Sequence, residues 1–261
     1  MDINQANLKN LTQLWRKYGV QDIALSKPLS GTVLTVNHHW PHRVWQSALI
    51  SKSLNDSDHL LKCLDQIPEC FISHATVPVC SFNEQTNASD LEQHLAKNNW
   101  QCAFQQTAMY LSVEQVDTQP FSKRDDFSIE KVTSLEQLST WVSIASEAFG
   151  YAIDQTVFEK LLHDADIQIL LGMLGNEGNS VAVATALLYR EGSVIGLHQM
   201  GVAKGFQGQG IAKKMMHGLI EQCVVQQDEY LVLQASQAGK PLYDSLGFKG
   251  QFEIRNYRRR S

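Results

Sequence analysis

Three glycines within six positions, followed by two lysines, single out the stretch GFQGQGIAKK (residues 205–214) as a candidate phosphate cradle. Glycine lets a ligand approach the backbone without meeting a side chain, and exposed N–H groups are what a phosphate needs. An ATP-type loop requires GxxxxGK[ST], with the lysine on the phosphates and the hydroxyl on magnesium. Counting from Gly205, the second glycine is Gly210, but Ile211 and Ala212 stand where Lys and Ser/Thr belong. A dinucleotide fingerprint GxGxxG would begin at Gly208 and Gly210, and Lys213 occupies its third glycine position. That fingerprint also opens a parallel βαβ unit, whereas this loop follows three strands read as antiparallel. What remains is Gln207-Gly208-Gln209-Gly210-Ile211-Ala212 running into a helix N-terminus, whose unpaired N–H groups and partial positive charge suit a pyrophosphate. For the hexapeptide alone, a glycine-rich turn entering an ordinary surface helix is the alternative.

Two histidine features carry other chemistry. His198 lies in a run read as a strand, and an imidazole titrates close enough to neutrality to take a proton. Alternation places it on one face with Gly196 and Met200; a structurally bonded histidine is the competing reading. His38, His39 and His42, with Trp40 and Trp45, invite a metal. Pro41 falls between His38 and His42 and argues against a regular helix with i,i+4 ligands there, and no carboxylate or cysteine is near. A structural or acceptor-pocket segment is expected, and no metal.

The elements that must position the loop are legible around it. Ile129–Val132 reads as a short strand. Ser134 then caps a helix, with Gln137 three residues on in a capping-box pattern. Leu135, Leu138, Val142, Ala145 and Phe149 mark its expected buried face, and Gly150 its end. A short helix follows Asp154, carrying Phe158, Leu161 and Leu162. Three strands come next, at 167–174, 181–190 and 193–202, joined by short glycine-containing turns of the kind that make antiparallel hairpins. After the loop, Ile211, Met215, Leu219 and Cys223 form one helical row and Ala212, Met216, Ile220 and Val224 the next, a broad stripe for packing on a sheet. YLVLQA (230–235) is the following strand, and the helical crossover before it predicts parallel pairing with the strand ending at 202.

The first half is less patterned. It opens with a helix over about 4–18 (Leu8, Leu11, Leu14, Trp15), then a strand at 32–38, a helix at 58–67, and a closing segment read as helix, turn and two strands. The polar stretch 116–127, containing Pro120, predicts a boundary between domains at 1–120 and 127–261.

Composition bounds the rest. A chain of 261 residues, 43% hydrophobic, allows one large or two modest domains with a real core. A net charge of −5 argues against a nucleic-acid or anionic-membrane partner, the Arg258–Arg260 run notwithstanding. No run approaches the ~20 apolar residues of a membrane span, and the N-terminus is not signal-like. Five cysteines without CxxC spacing read as reduced thiols. A cytoplasmic protein of mixed-sheet, α+β class is expected.

Two stretches tie these readings together. MGVAKGFQGQGIAKKMM resembles the acetyl-CoA-binding motif of the GCN5-related N-acetyltransferase (GNAT) superfamily, with Gln207, Gly210 and Ala212 in its last three places. PLYDSLGF (241–248) resembles that family's helix-to-strand signature ending in Tyr-x-x-Leu-Gly-Phe. The resemblance covers about residues 129–261, and the meander, crossover and parallel strand follow the order of that fold. It implies acetyl-CoA as co-substrate, with no metal, lying between the strand that ends at 202 and the strand after the crossover. The backbone of Met200, Gly201 and Val202 is then expected to pair with the pantetheine arm. Residues Gln207, Gly208, Gln209, Gly210, Ile211 and Ala212 are expected to hold the pyrophosphate.

Tyr243 matches the family tyrosine whose hydroxyl faces the cofactor sulfur and protonates the leaving thiolate; simple packing against Phe248 is the alternative. The strand where the family often carries Glu or His as base offers His198 and Gln199 and no carboxylate. Ser236 stands where many members have Asn, a departure that leaves its pantetheine contact open. The segment 91–111 loosely parallels 241–257, and the first domain is read as a degenerate GNAT-like half-copy, with an unrelated α+β lobe as the alternative. The resemblance implies an N-acetyltransferase acting on a primary amine of a small molecule or protein by direct attack on the thioester. A non-catalytic acyl-CoA sensor is the alternative, kept open by the missing strand carboxylate.

Overall fold

The computed structural model describes residues 1–19, 21–22, 34–37, 40–41, 43–46, 74–79, 96–116, 126–176 and 178–259. In chain order the elements are α1 (Ile3–Lys17), β1 (Gln21–Asp22), β2 (Leu34–Val36), β3 (Arg43–Gln46), β4 (His74–Val79), β5 (Trp100–Ser112), β6 (Phe127–Lys131), α2 (Leu135–Phe149), α3 (Gln155–Glu159), β7 (Ile167–Leu174), β8 (Val181–Glu191), β9 (Val194–Val202), α4 (Ile211–Val225), β10 (Tyr230–Ser236), α5 (Lys240–Ser245) and β11 (Lys249–Arg259). They fall into two compact units, Leu111–Leu233 and Met1–Tyr110 with Gln234–Ser261. The mixed-sheet α/β class expected from the sequence is what forms.

In the Leu111–Leu233 unit the strands lie in the order β10-β9-β8-β7-β6. β6, β7, β8 and β9 are antiparallel in succession, and β10 joins β9 in parallel after the α4 crossover. β8 and β9 are apolar on both faces because α2 and α4 pack against them, whereas β6 exposes Ser128, Glu130 and Lys131. α4 buries all of the first expected row, Ile211, Met215, Leu219 and Cys223, and Met216 and Ile220 of the second, whose ends Ala212 and Val224 are only partly buried. It approaches closely: a Cβ at Gly218 would come within 2.7 Å of Ile129 Cδ1, so any larger residue there requires that side chain to shift.

α2 starts as expected, with Ser134 Oγ accepting from Gln137 N–H at 3.2 Å, and it ends at Gly150 with φ 71°. Gln137 Oε1 reaches back to Thr133 N–H at 2.9 Å rather than to the Ser134 amide. Its buried face differs from the expected one. Leu138, Trp141, Ile144 and Ala145 face inward, whereas Leu135 is 57% and Phe149 38% exposed. The reason is Trp141, whose indole fills the space beside Phe158 (centroids 4.9 Å apart) and donates from Nε1 to the Ala186 carbonyl at 3.1 Å. That anchor turns the helix about its axis.

In the other unit, α1 is capped by Asp2, whose Oδ1 accepts from Asn4 N–H at 2.9 Å, and it buries Leu8, Leu11, Leu14 and Trp15 as their spacing predicts. The strand order is β1-β2-β3-β4-β11-β5. The segment read as two strands is one, β5, 13 residues long, because no turn-forming residue interrupts it and β11 pairs along it from Lys249↔Tyr110 to Arg259↔Trp100. Trp45 is core: it meets Trp15 edge-on at 5.3 Å, and the Arg43 guanidinium lies over the Trp15 ring. His38, His39 and His42, and the helix expected at 58–67, lie outside the described residues.

Candidate active site

Between β9 and α4 the chain makes one 3-10 turn (Lys204–Phe206), passes Gln207 in extended conformation, and enters the helix through Gly208 (φ 75°) and Gly210 (φ 77°). Both glycines have open space where a Cβ would stand, so backbone conformation and not crowding requires them. Gly210 is the N-cap and supplies no side-chain acceptor, which leaves the first-turn amides of α4 uncapped beside an exposed loop. Two glutamines brace that loop from within: Gln209 Nε2 donates to Gly205 O at 3.0 Å, and Gln207 Nε2 to Val202 O at 3.1 Å. Glu147 on α2 holds the approach turn by accepting from Lys204 N–H at 3.2 Å. Lys213 is exposed, whereas the Lys214 side chain is 15% exposed and paired with Asp126 at 2.9 Å.

The end of β9 is an available edge. Its parallel register with β10 runs from Tyr230↔Val194 to Leu233↔Leu197 and stops, while β9 continues to Val202. Ala203 N–H donates to Val183 O at 2.9 Å, so ladder alternation turns the backbone groups of Val202 toward the opposite edge. The Val202 carbonyl there is taken by Gln207, leaving its N–H as the group presented.

Within this stretch the register with β8 slips. Leu187 pairs with His198 and Thr185 with Gly201, so Ala186 faces both Gln199 and Met200. This is a β-bulge, with Gln199 at φ 49°. It interrupts the alternation that would set Met200 on the face of His198 and Gly196. Thr185 Oγ1, fully buried, donates to the Gln199 carbonyl at 2.9 Å and holds the bulge. The sequence reading missed Thr185 and Glu147; a lone hydroxyl within the apolar run VAVATALL was the available signal. Gly201 packs under α2, where a Cβ would stand 2.8 Å from that of Ala148. His198 is buried, and desolvation pushes its imidazole down to about 3.

Ser236 and Tyr243 belong to the other unit. Ser236 Oγ accepts from Gly239 N–H at 3.1 Å, closing the turn into α5. Tyr243 sits on α5, half-buried, with its ring edge-on to Phe248 at 5.6 Å, and desolvation pushes its phenol up to about 12. A phenol so placed stays protonated through the neutral range.

Uncapped amides entered through glycines, next to a strand edge that presents an N–H, match the donor set a pyrophosphate and an extended amide-bearing arm require. Residues 124–258 match the acetyltransferase (GNAT) domain family, just over half of the chain. Comparison with curated proteins finds no match. Among solved structures, a GCN5-related N-acetyltransferase from Kribbella flavida shares 14% identity at TM-score 0.62, covering 98% of this chain and 95% of that one. A functionally unknown conserved protein from Staphylococcus epidermidis ATCC 12228 shares 15% at 0.63, covering 94% and 96%. A GCN5-related N-acetyltransferase from Sphaerobacter thermophilus shares 14% at 0.59, covering 95% and 84%. At such identities the likeness is one of fold. With the family match over the loop, the strand edge and the Tyr243 turn, the chain belongs to the GNAT acetyltransferases and is an acyl-CoA-dependent N-acetyltransferase.

Proposed function

We propose that the protein transfers an acetyl group from acetyl-CoA to a primary amine by direct attack of the amine nitrogen on the thioester carbonyl. The C–N bond forms as the C–S bond breaks, the amine gives up a proton, and the thiolate takes one. The observation that carries the reading is the uncapped start of α4, reached through Gly208 and Gly210 immediately after the β9 edge. In this reading the backbone of residues 207–212 holds the pyrophosphate. Met200, Gly201 and Val202 guide the pantetheine arm, with the Val202 N–H as donor, and Ser236 is a further contact to it. The Tyr243 hydroxyl delivers its proton to the departing thiolate.

His198 is the proton acceptor on β9. Burial makes it a weak base, and that observation favours a second reading in which water takes the proton from the amine. Calorimetric titration with acetyl-CoA, then assay of free thiol with a panel of amines, tests the reading. No binding of acetyl-CoA overturns it. Tyr243→Phe is expected to lower turnover more than cofactor affinity, and unchanged turnover refutes the acid role. Retained turnover in His198→Gln selects the water route.

A further inference from the structure

At the point where β10 leaves its register with β9, side-chain amides from β5 and α1 bond to it. Gln234 is the first residue beyond the last β9 pair, Leu233↔Leu197. Its carbonyl accepts from Gln106 Nε2 at 3.3 Å, and its own Nε2 donates to Asn7 Oδ1 at 2.8 Å. Asn7, fully buried on α1, donates from Nδ2 to the Met109 carbonyl at 3.0 Å and to Gln251 Oε1. Gln251 in turn donates to Asn4 Oδ1 at 2.9 Å. One helical amide thus ties together β5, β10 and β11. Buried amides are costly unless their groups are bonded, and here the Asn7 amide is bonded at both its oxygen and its nitrogen. The arrangement is better suited to fixing one geometry than to adding stability.

We infer that Asn7 is a positioning residue: through Gln234 the N-terminal helix aligns the end of β10, and with it Ser236 and the turn that carries Tyr243, for acetyl-CoA. The inference rests on the acetyl-CoA reading above. Ser236 lies two residues beyond Gln234, and α5 begins four residues after Ser236, so a shift at Gln234 carries into both.

Acetyl-CoA is titrated calorimetrically into the wild-type chain, Asn7→Leu, Gln234→Met and the double variant, at a temperature where each is folded by circular dichroism. Each single variant is expected to weaken Kd by about fivefold to tenfold, the equivalent of one net hydrogen bond. The double variant is expected to be no weaker than the worse single one, because both remove the same link. A merely structural amide would lower the melting temperature and the binding stoichiometry and leave Kd unmoved. Unchanged Kd in the single variants overturns the inference while the proposed function stands. Losses that multiply in the double variant overturn it as well, since Asn7 then does not act through Gln234. A wild-type chain that does not bind acetyl-CoA overturns both together. If Asn7→Leu fails to fold, Gln234→Met, which keeps the bonds from Asn7 to Met109 and Gln251, decides alone.

Discussion

The Phe248 N–H donates to the Tyr243 carbonyl at 3.1 Å while the two rings meet edge-on at 5.6 Å. With Gly247 N–H donating to Asp244 O at 3.1 Å and Gly247 at φ 87°, this is a Schellman closure of α5 with its accompanying ring contact. The six-residue helix is too short to hold itself, so the closure sets the direction of Tyr243. It also explains Tyr-x-x-Leu-Gly-Phe in physical terms: the glycine takes the left-handed position and the aromatic residue seals the turn.

Gly247→Ala therefore acts at a distance from its own side chain. Placing an L-residue at that φ costs about 1–2 kcal/mol, so the melting temperature falls. Because Tyr243 loses its bearing, turnover measured by free thiol is expected to fall further than acetyl-CoA affinity. Equal losses in both would assign the turn to binding alone.

Much of this architecture was legible beforehand because it depends on short-range patterns. The stripe from Ile211 to Cys223, the glycine-punctuated meander and the Ser134 and Gly150 caps are local signals, and each element forms where they stand. The start of α4 after Gly210 was legible for the same reason. What could not be read depends on partners far along the chain. The bulge at Gln199 exists because β8 offers one residue against two, the face of α2 is chosen by Trp141 against Ala186, and Lys214 folds against Asp126, 88 residues away. The closing aromatic turns share a finer likeness: Asn99 (φ 61°) precedes buried Trp100 as Gly247 precedes buried Phe248, and each leads into one of the antiparallel partners β5 and β11.

Burial of His198 predicts an acid sensitivity. Its folded-state basicity is lowered to about 3 from 6.5, so the unfolded chain binds the proton more readily between those values. Its contribution to stability is complete above pH 6.5 and is lost as pH falls toward 3. At 1.36 kcal/mol per unit, the wild-type chain should lose about 2 kcal/mol from this group between pH 7 and pH 5. His198→Gln should show a flatter profile in denaturant titrations at the two pH values. Parallel profiles would mean that the imidazole is solvated.

Gly201 and Gly210 should respond to alanine by different physics. At Gly201 the new methyl meets Ala148 Cβ at 2.8 Å, so α2 must move off β9, with an overpacking cost of about 1–3 kcal/mol. At Gly210 nothing stands within 4 Å, and only the φ of 77° opposes the change, at about 1–2 kcal/mol. Crystal structures of the two variants separate the cases: a displaced α2 in the first, an altered loop with α2 unmoved in the second. A displaced α2 in the second would contradict the assignment.

Thr185→Val tests whether the bulge depends on its one side-chain bond. Valine matches threonine in shape, so packing on this fully buried position is kept while the donor to the Gln199 carbonyl is removed. The carbonyl then lacks that partner, at a cost of about 1–3 kcal/mol, and Gln199 loses what offsets its left-handed conformation. Relaxation of Gln199 toward extended geometry would move the extra residue out of β9 and shift Met200, Gly201 and Val202 by one place against β8. Their backbone groups would then exchange edges. Acetyl-CoA affinity should therefore fall by more than the stability loss alone explains, as read by calorimetry on the folded protein. Thr185→Ser, which keeps the hydroxyl and loses a methyl, should retain affinity. If Ser and Val variants bind alike, the hydroxyl does not hold the bulge.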